Sequence, residues 1–359
     1  MRIELPISKS IANRLLILQA IHGDGLMTVS CDMPNDVRIM SEAIRRLGER
    51  REARIDLGNC GTAMRFLTAY CAQLDGKTVI LEGVERMHHR PIGQLVDALR
   101  EIGADIEYLG EEGFPPLRIK GCILDKHRIV TINNPLSTQF LSALLLIGAN
   151  VQTDSTSPYI TLTRELIQHY TTLHNSTQRY TIEKDWSSAA FWYEYVALQG
   201  GEITLPGLSR DSLQGDKVVA DIFVHLGVQT EYTEEGITIT KNEDEEFLIQ
   251  QYEQQKSTTQ TTKSNKTLNI DFSACPDLYP AIALTCERLG VELHATGVES
   301  LPLKESDRLR AVREHRTDAD HRMAMALLIA GYEVDDTACI SKSYPQFIEQ
   351  WKSVNTSNE

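Results

Sequence analysis

Four times in this chain a glycine closes an apolar stripe and an extended segment follows: at Leu47-Gly48, Ile102-Gly103, Leu226-Gly227 and Leu289-Gly290. Glycine just past a helix accepts the left-handed backbone that helix ends need, so each junction predicts a helix stop. The stripes have helical spacing. Met40, Ala43, Ile44 and Leu47 share a face, as do Val219, Ile222, Phe223 and Leu226. Ile92, Leu95, Val96, Leu99 and Ile102 form a third stripe, opened by Pro91; Ile11, Leu15 and Leu18 form a fourth, stopped by Gly23. Alternating or apolar runs at 78–81, 105–108, 117–119 and 236–240 read as strands. A helix that recurs with a strand behind it, at irregular period, predicts repeated units of helix packed on sheet. The expected class is therefore an α/β or α+β layered architecture. Residues 241–266, rich in Gln, Thr and Ser, read as a polar insertion loop, and the tail after Trp351 as frayed.

A chain of 359 residues is long enough for two domains with full cores. Its 36 basic and 50 acidic side chains give a net charge of −14, which argues against nucleic acid or an anionic membrane as the general partner. It lacks the run of ~18 apolar residues that a membrane-spanning helix needs. Residues 1–7 are too few and too polar for a signal or transit peptide. The seven cysteines are scattered and form no Cys-x-x-Cys pair. Neither a disulfide framework nor a zinc site is expected, and a reducing, cytoplasmic setting is.

Against that acidic background, basic residues collect at element junctions. Ser8-Lys9-Ser10 opens the first helix, with Ser10 the expected N-cap and with Lys9 and Arg14 adding positive charge to a helix start that already favours anions. Gly58-Asn59-Cys60-Gly61-Thr62 leads into a helix carrying Arg65, and glycine there lets the backbone approach a ligand closely. Arg86 and Arg90 precede Pro91, and arginine grips carboxylate or phosphate with a two-pronged fork. His88 and His89 are adjacent and are expected to point apart, which argues against a metal. Ser137-Thr138-Gln139 puts three hydrogen-bonding groups at a helix start, and Pro276-Asp277 leads another apolar stretch. Lys304, Glu305 and Arg308 lie within five positions. Asp320-His321-Arg322 runs straight into a small-residue apolar helix, which must be buried while its N-terminus presents His and Arg. Lys342 stands in a loop shortly before Pro345. Taken singly, each segment is an ordinary cap, turn or surface ion pair. Together, nine basic residues at junctions (Lys9, Arg14, Arg65, Arg86, Arg90, Lys304, Arg308, Arg322 and Lys342) fit a closed site for substrates bearing several phosphate and carboxylate groups.

In their order from Ser8 to about Phe347, these segments resemble the motifs of the 5-enolpyruvylshikimate-3-phosphate synthase family. The resemblance implies two domains of repeated βαβαββ units. A lower domain, 1–6 with 183–359, would hold both termini, and an upper domain, 7–182, would be inserted in it and close like a clamp. The implied reaction moves the enolpyruvyl group of phosphoenolpyruvate to the 5-hydroxyl of shikimate 3-phosphate and releases phosphate, a step of the shikimate pathway to aromatic amino acids. No cofactor or metal, no nucleic acid and no membrane partner would be involved, and the protein would be a cytoplasmic monomer. Shikimate 3-phosphate would meet Lys9, Ser10, Arg14, Ser137, Thr138, Gln139, Thr156, Tyr159, Asp277 and Lys304. Phosphoenolpyruvate would meet Lys9, Asn59, Gly61, Thr62, Arg65, Arg90, Gln139, Glu305, Arg308, His321, Arg322 and Lys342. Lys304 or Asp277 would act as base. Glu305 would act as acid, kept protonated near neutrality by like-charge repulsion and desolvation.

Three alternatives stay open: the related UDP-N-acetylglucosamine enolpyruvyl transferase, a catalytically impaired anion-binding relative of the same fold, and a scaffold protein that keeps the fold only. Two spacings depart from the family. Lys304 and His321 are 17 positions apart, leaving room after Glu305 for about two turns of helix and a turn. Part of a repeat is therefore expected to be missing, with an exposed sheet edge or an uncovered apolar face beside Lys304 and Glu305. Gln139 to Tyr159 is likewise short by about one strand.

Overall fold

Three of the four glycines that close apolar stripes lie in the left-handed region, Gly103 at φ 101°, Gly227 at 84° and Gly290 at 67°. The computed structural model that places them describes residues 1–49, 51–173, 181–242 and 266–356. Gly48 corrects the pattern: it lies inside its helix, which runs on to Glu49. One glycine inside a helix costs about 1 kcal/mol, and burying Val37, Met40, Ala43, Ile44 and Leu47 outweighs it.

The described chain divides into two units. The inserted unit is Lys9–Ile182. Its elements run α1 (Lys9–His22), α2 (Asn35–Glu49), β1 (Glu52–Asp56), α3 (Gly61–Ala72), β2 (Thr78–Glu82), α4 (Gly93–Glu101), β3 (Asp105–Tyr108), β4 (Leu117–Lys120), β5 (Ile129–Thr131), α5 (Thr138–Leu146), β6 (Asn150–Gln152) and α6 (Pro158–Leu173). One sheet has the order β1-β2-β4-β3, with β1 and β2 parallel and the other pairings antiparallel; β5 and β6 form a separate parallel pair. α3 is buried along nearly its whole length, its Arg65 and Thr68 included. α1 begins at Lys9, so the expected cap, Ser10, sits in the first turn, and the buried hydroxyl of Ser8 ahead of it makes no capping hydrogen bond among the described residues. Ser137 does cap α5, accepting from the Gln139 amide at 3.4 Å.

The terminal unit is Met1–Ser8 with Glu183–Glu359. It contains α7 (Trp186–Gln199), β7 (Glu202–Pro206), α8 (Val219–Val224), β8 (Val228–Tyr232), β9 (Gly236–Lys241), β10 (Thr267–Asp271), α9 (Tyr279–Leu289), β11 (Glu292–Thr296), α10 (Arg308–Glu314), α11 (His321–Ile329) and α12 (Phe347–Thr356). β7, β9 and β8 make an antiparallel sheet that Arg2 joins beside Thr204, and β10 and β11 pair in parallel. α12 is helical to Thr356, past the point where fraying was expected. Residues 243–265, most of the expected insertion loop, lie outside the described residues. Among the described residues no helix is long and apolar enough to cross a membrane.

The short connection after Glu305 is a two-turn helix, α10, and a tight turn. The two strands of the β10–β11 pair are both edges, but the expected uncovered apolar face is absent: among the described residues from 266 on, no large apolar side chain is exposed. A polar clasp closes the gap instead. Asp318 accepts from Arg310 at 3.0 Å and Arg316 at 3.1 Å, and the Thr317 hydroxyl donates to Asp335. His315, Asp318 and Ala319 take positive φ of 50°, 46° and 57° to make so short a turn.

α7 is the centre of the terminal core. Residues 186–197 are all buried, around Trp192, Tyr193, Phe191 and, from other elements, Phe223 and Phe347. Glu194 lies among them with 0% exposure, and neither of its carboxyl oxygens has a hydrogen-bond partner among the described residues. Burial pushes this carboxyl well above the ordinary glutamate value of 4.5. The folded protein therefore keeps a proton that the unfolded chain releases above pH ~4.5, and stability falls as pH rises beyond that point. Glu194→Gln removes the titration. It is expected to match the parent near pH 4 and to gain on it by about 1.4 kcal/mol per pH unit above pH ~4.5, until the buried carboxyl itself ionises. Melting curves of both proteins at pH 4.5, 6 and 7.5 check this; a difference that does not change with pH would refute it.

Candidate active site

Asp277 stands on the short 3-10 turn Pro276–Leu278 that feeds α9. Three cations converge on it. Arg308 reaches Oδ1 at 2.8 Å, Arg322 reaches Oδ2 at 2.8 Å, and Lys304 approaches Oδ1 at 3.5 Å. Arg308, 1% exposed, also holds Asp320 through Nε at 2.8 Å and Glu305 through Nη2 at 3.4 Å. Lys342 closes the web on Glu305 at 3.0 Å. Asp320 is fully buried, and its other oxygen, Oδ1, caps α11 by accepting the Arg322 amide at 2.9 Å. That cap sets His321 and Arg322 at the helix start, with His321 Nδ1 3.6 Å from Asp320.

Burial works against the charge on Arg308, but the carboxylates of Asp320, Asp277 and Glu305 outweigh it and hold its pKa above the ordinary arginine value. For Lys304 burial wins: despite Asp277, its pKa lies below the ordinary lysine value. Burial, and then the nearby Asp277 carboxylate, push Asp216 upward; it accepts the Ser187 hydroxyl within the same unit.

In the inserted unit the organising feature is Gly61 at the start of α3. A Cβ there would lie 2.4 Å from Arg90 Nη1 and 2.5 Å from Arg65 Nη1. Two buried guanidiniums thus crowd one backbone position where only glycine leaves room. Gln139 orients the group, accepting from Arg65 at 3.1 Å and donating to Thr62 at 3.0 Å. Arg65 also lies over the Phe140 ring at 5.5 Å. Lys9 pairs with Asp36 at 3.3 Å, both largely buried. Arg14 is buried against Ser142 and Thr163 and bonds the Ser10 carbonyl. Tyr159, Ser137 and Asn59 are half-buried, while Thr156 is exposed ahead of α6. His88 and His89 do not point apart: on the tight turn Glu85–His89 both reach toward Glu85, at 3.9 and 3.4 Å.

Each unit therefore gathers its own share of the expected residues. Asp277, Lys304, Glu305, Arg308, His321, Arg322 and Lys342 form one web, and Gly61, Thr62, Arg65, Arg90 and Gln139 one cluster. Asp36, Ser142, Thr163 and Asp216 were not anticipated from the sequence, because their partners lie far away along the chain. Asp320 was legible only as a helix cap.

A family model described as EPSP synthase (3-phosphoshikimate 1-carboxyvinyltransferase) matches residues 49–315 and 313–351. The chain belongs to the EPSP synthase family. It is 36% identical to the 3-phosphoshikimate 1-carboxyvinyltransferase of Bacteroides fragilis strain YCH46, over 96% of this chain and 93% of that one. It is 30% identical to the enzyme of that name from Erwinia tasmaniensis, over 97% and 94%. The B. fragilis alignment runs over 406 positions against 359 residues here, so the relative carries segments that this chain lacks. In fold the chain is similar to an EPSP synthase from Acinetobacter baumannii, with a TM-score of 0.65 at 18% identity, over 98% of this chain and 95% of that one.

The crowding at Gly61 yields a test. In Gly61→Ala only side-chain ends must move, so the melting temperature is expected to stay within a few degrees of the parent. Yet both guanidiniums lose their places. Losing one charge-assisted hydrogen bond costs ~1.5–3 kcal/mol, so affinity for the phosphoenolpyruvate that the resemblance assigns to this turn should drop about ten-fold or more. Calorimetry that finds unchanged affinity would show that the turn does not line that site.

Proposed function

We propose that this chain transfers the enolpyruvyl group of phosphoenolpyruvate to the 5-hydroxyl of shikimate 3-phosphate and releases phosphate. The observation that carries the reading is the single ion web joining Lys304, Glu305, Arg308, Arg322 and Lys342 around Asp277, in a chain of this family. Both substrates are polyanions, and fixed cations that exclude water stabilise the charge that moves between them. The free thiols of all seven cysteines support a reducing, cytoplasmic setting.

In the reaction, the 5-hydroxyl oxygen bonds to the enol carbon while the methylene carbon takes a proton. The resulting tetrahedral adduct then expels phosphate and loses a proton from its new methyl group. The hydroxyl needs a base. Asp277 is bound at 2.8 Å by each of two arginines, which ties up both its oxygens. Lys304 suits the role better, since burial lowers its pKa toward the working range. The methylene needs an acid, and Glu305, directly after Lys304, is the residue we assign; Arg308 and Lys342 favour its ionised form in the free protein, so it is the phosphates of the bound substrates that must shift it to the protonated form before it can donate.

Glu305→Gln keeps the shape and loses the transferable proton. It is expected to bind both substrates with near-parental affinity in calorimetry while phosphate release slows by ~10²–10⁴-fold, the range for losing a general acid. Near-normal turnover would move the acid role to another residue. Absence of turnover and of binding in the parent would sink the whole reading.

A further inference from the structure

We propose that Ser142 on α5 and Thr163 on α6 are positioning residues: their hydroxyls set the guanidinium of Arg14 and, through it, the affinity for shikimate 3-phosphate. The inference rests on the function proposed above. Arg14 is 2% exposed where α1, α5 and α6 pack together. Its Nε donates to Thr163 Oγ1 at 2.8 Å, its Nη2 to Ser142 Oγ at 2.9 Å and its Nη1 to the Ser10 carbonyl at 2.8 Å. The Phe66 ring lies beside the guanidinium, 5.3 Å away at its centroid.

All three acceptors are neutral, and among the described residues no carboxylate lies within ion-pair distance of Arg14. A buried cation satisfied only by neutral oxygens is costly, and a hydrocarbon side chain would pack there at less expense. Burial accordingly pushes Arg14 down to about 10. What the arrangement gains is aim. A guanidinium has five N–H donors in a rigid fork, of which three are engaged here, leaving two for an incoming anion.

The two hydroxyls hold the Nε and Nη2 side of the fork and brace each other, with Thr163 Oγ1 2.9 Å from Ser142 Oγ. Thr163 Oγ1 also lies 2.7 Å from the Tyr159 carbonyl. One hub therefore links Ser10, Arg14 and Tyr159, three residues assigned to the same substrate. Both hydroxyl residues are fully buried, so they act through Arg14 rather than by touching the ligand.

The test is calorimetry with shikimate 3-phosphate alone on the parent, Ser142→Ala, Thr163→Val and Thr163→Ser. The two hydroxyl-deleting variants are expected to bind about ten-fold more weakly, and Thr163→Ser, which keeps the hydroxyl, to stay within about two-fold of the parent. In steady state the KM for shikimate 3-phosphate should rise about ten-fold, with that for phosphoenolpyruvate little changed. If Thr163→Val does not fold, Ser142→Ala carries the test. Parental binding with unaltered affinity in the variants, or equal loss in Thr163→Val and Thr163→Ser, overturns the proposal and leaves the function standing. Failure of the parent to bind overturns both.

Discussion

Arg308 is the residue on which the terminal unit's chemistry depends. A guanidinium that is 1% exposed costs several kcal/mol in desolvation, and the cost is offset only if carboxylates meet it with good geometry. Asp320 and Asp277 do so at 2.8 Å each, with Glu305 at 3.4 Å. Each of these carboxylates is shared. Asp320 caps α11, Asp277 also holds Arg322, and Glu305 also holds Lys342. One buried side chain thereby fixes the turn before α9, the start of α10, the start of α11 and the loop before α12. The same web holds both Lys304, through Asp277, and Glu305. The short connection can therefore omit scaffold without scattering the site. The polar clasp at Asp318 and Thr317 closes the turn, and Asp320 at its end anchors it to Arg308.

The inserted unit meets the same problem differently. At Gly61 two guanidiniums share one backbone position, and Arg14 is held by hydroxyls and a carbonyl rather than by acids. The terminal web is largely neutralised from within, with Lys304, Arg308, Arg322 and Lys342 set against Asp277, Glu305 and Asp320. Arg14 lacks such a counter-charge among the described residues and so carries more of its charge toward an anion. This difference follows from the acceptors each unit presents, not from the number of its basic residues.

Much of the fold was legible because it has local causes. Each of the four junctions Leu47-Gly48, Ile102-Gly103, Leu226-Gly227 and Leu289-Gly290 is followed by a strand: β1, β3, β8 and β11. Gly48 misled because burial of one helix face outweighed a small backbone preference. The expected cap of α1 failed for a related reason: the helix starts at Lys9, so Ser10 falls inside its first turn, and the hydroxyl of Ser8 before it makes no hydrogen bond among the described residues. Motif residues were legible as a set, since charge at helix starts has a chemical purpose that spacing reveals. Their partners were not. Asp36 lies 27 positions from Lys9, and Thr163 lies 149 from Arg14, so no periodicity connects them. Glu194 was invisible for the opposite reason: a lone acid in an apolar helix leaves no pattern at all. The expected apolar scar beside Lys304 and Glu305 is absent because polar side chains, which a hydrophobic pattern does not register, close the turn.

The central claim is that the Arg308–Asp320 pair holds the terminal unit and its site together. Urea unfolding of Asp320→Ala at pH 7 tests it most directly. Removing one partner of a buried pair strands the other charge, and here it also removes a helix cap. The expected loss is therefore at least ~3–5 kcal/mol. A variant that unfolds within ~1 kcal/mol of the parent would show that neither the pair nor the cap carries the structure, and would contradict the account.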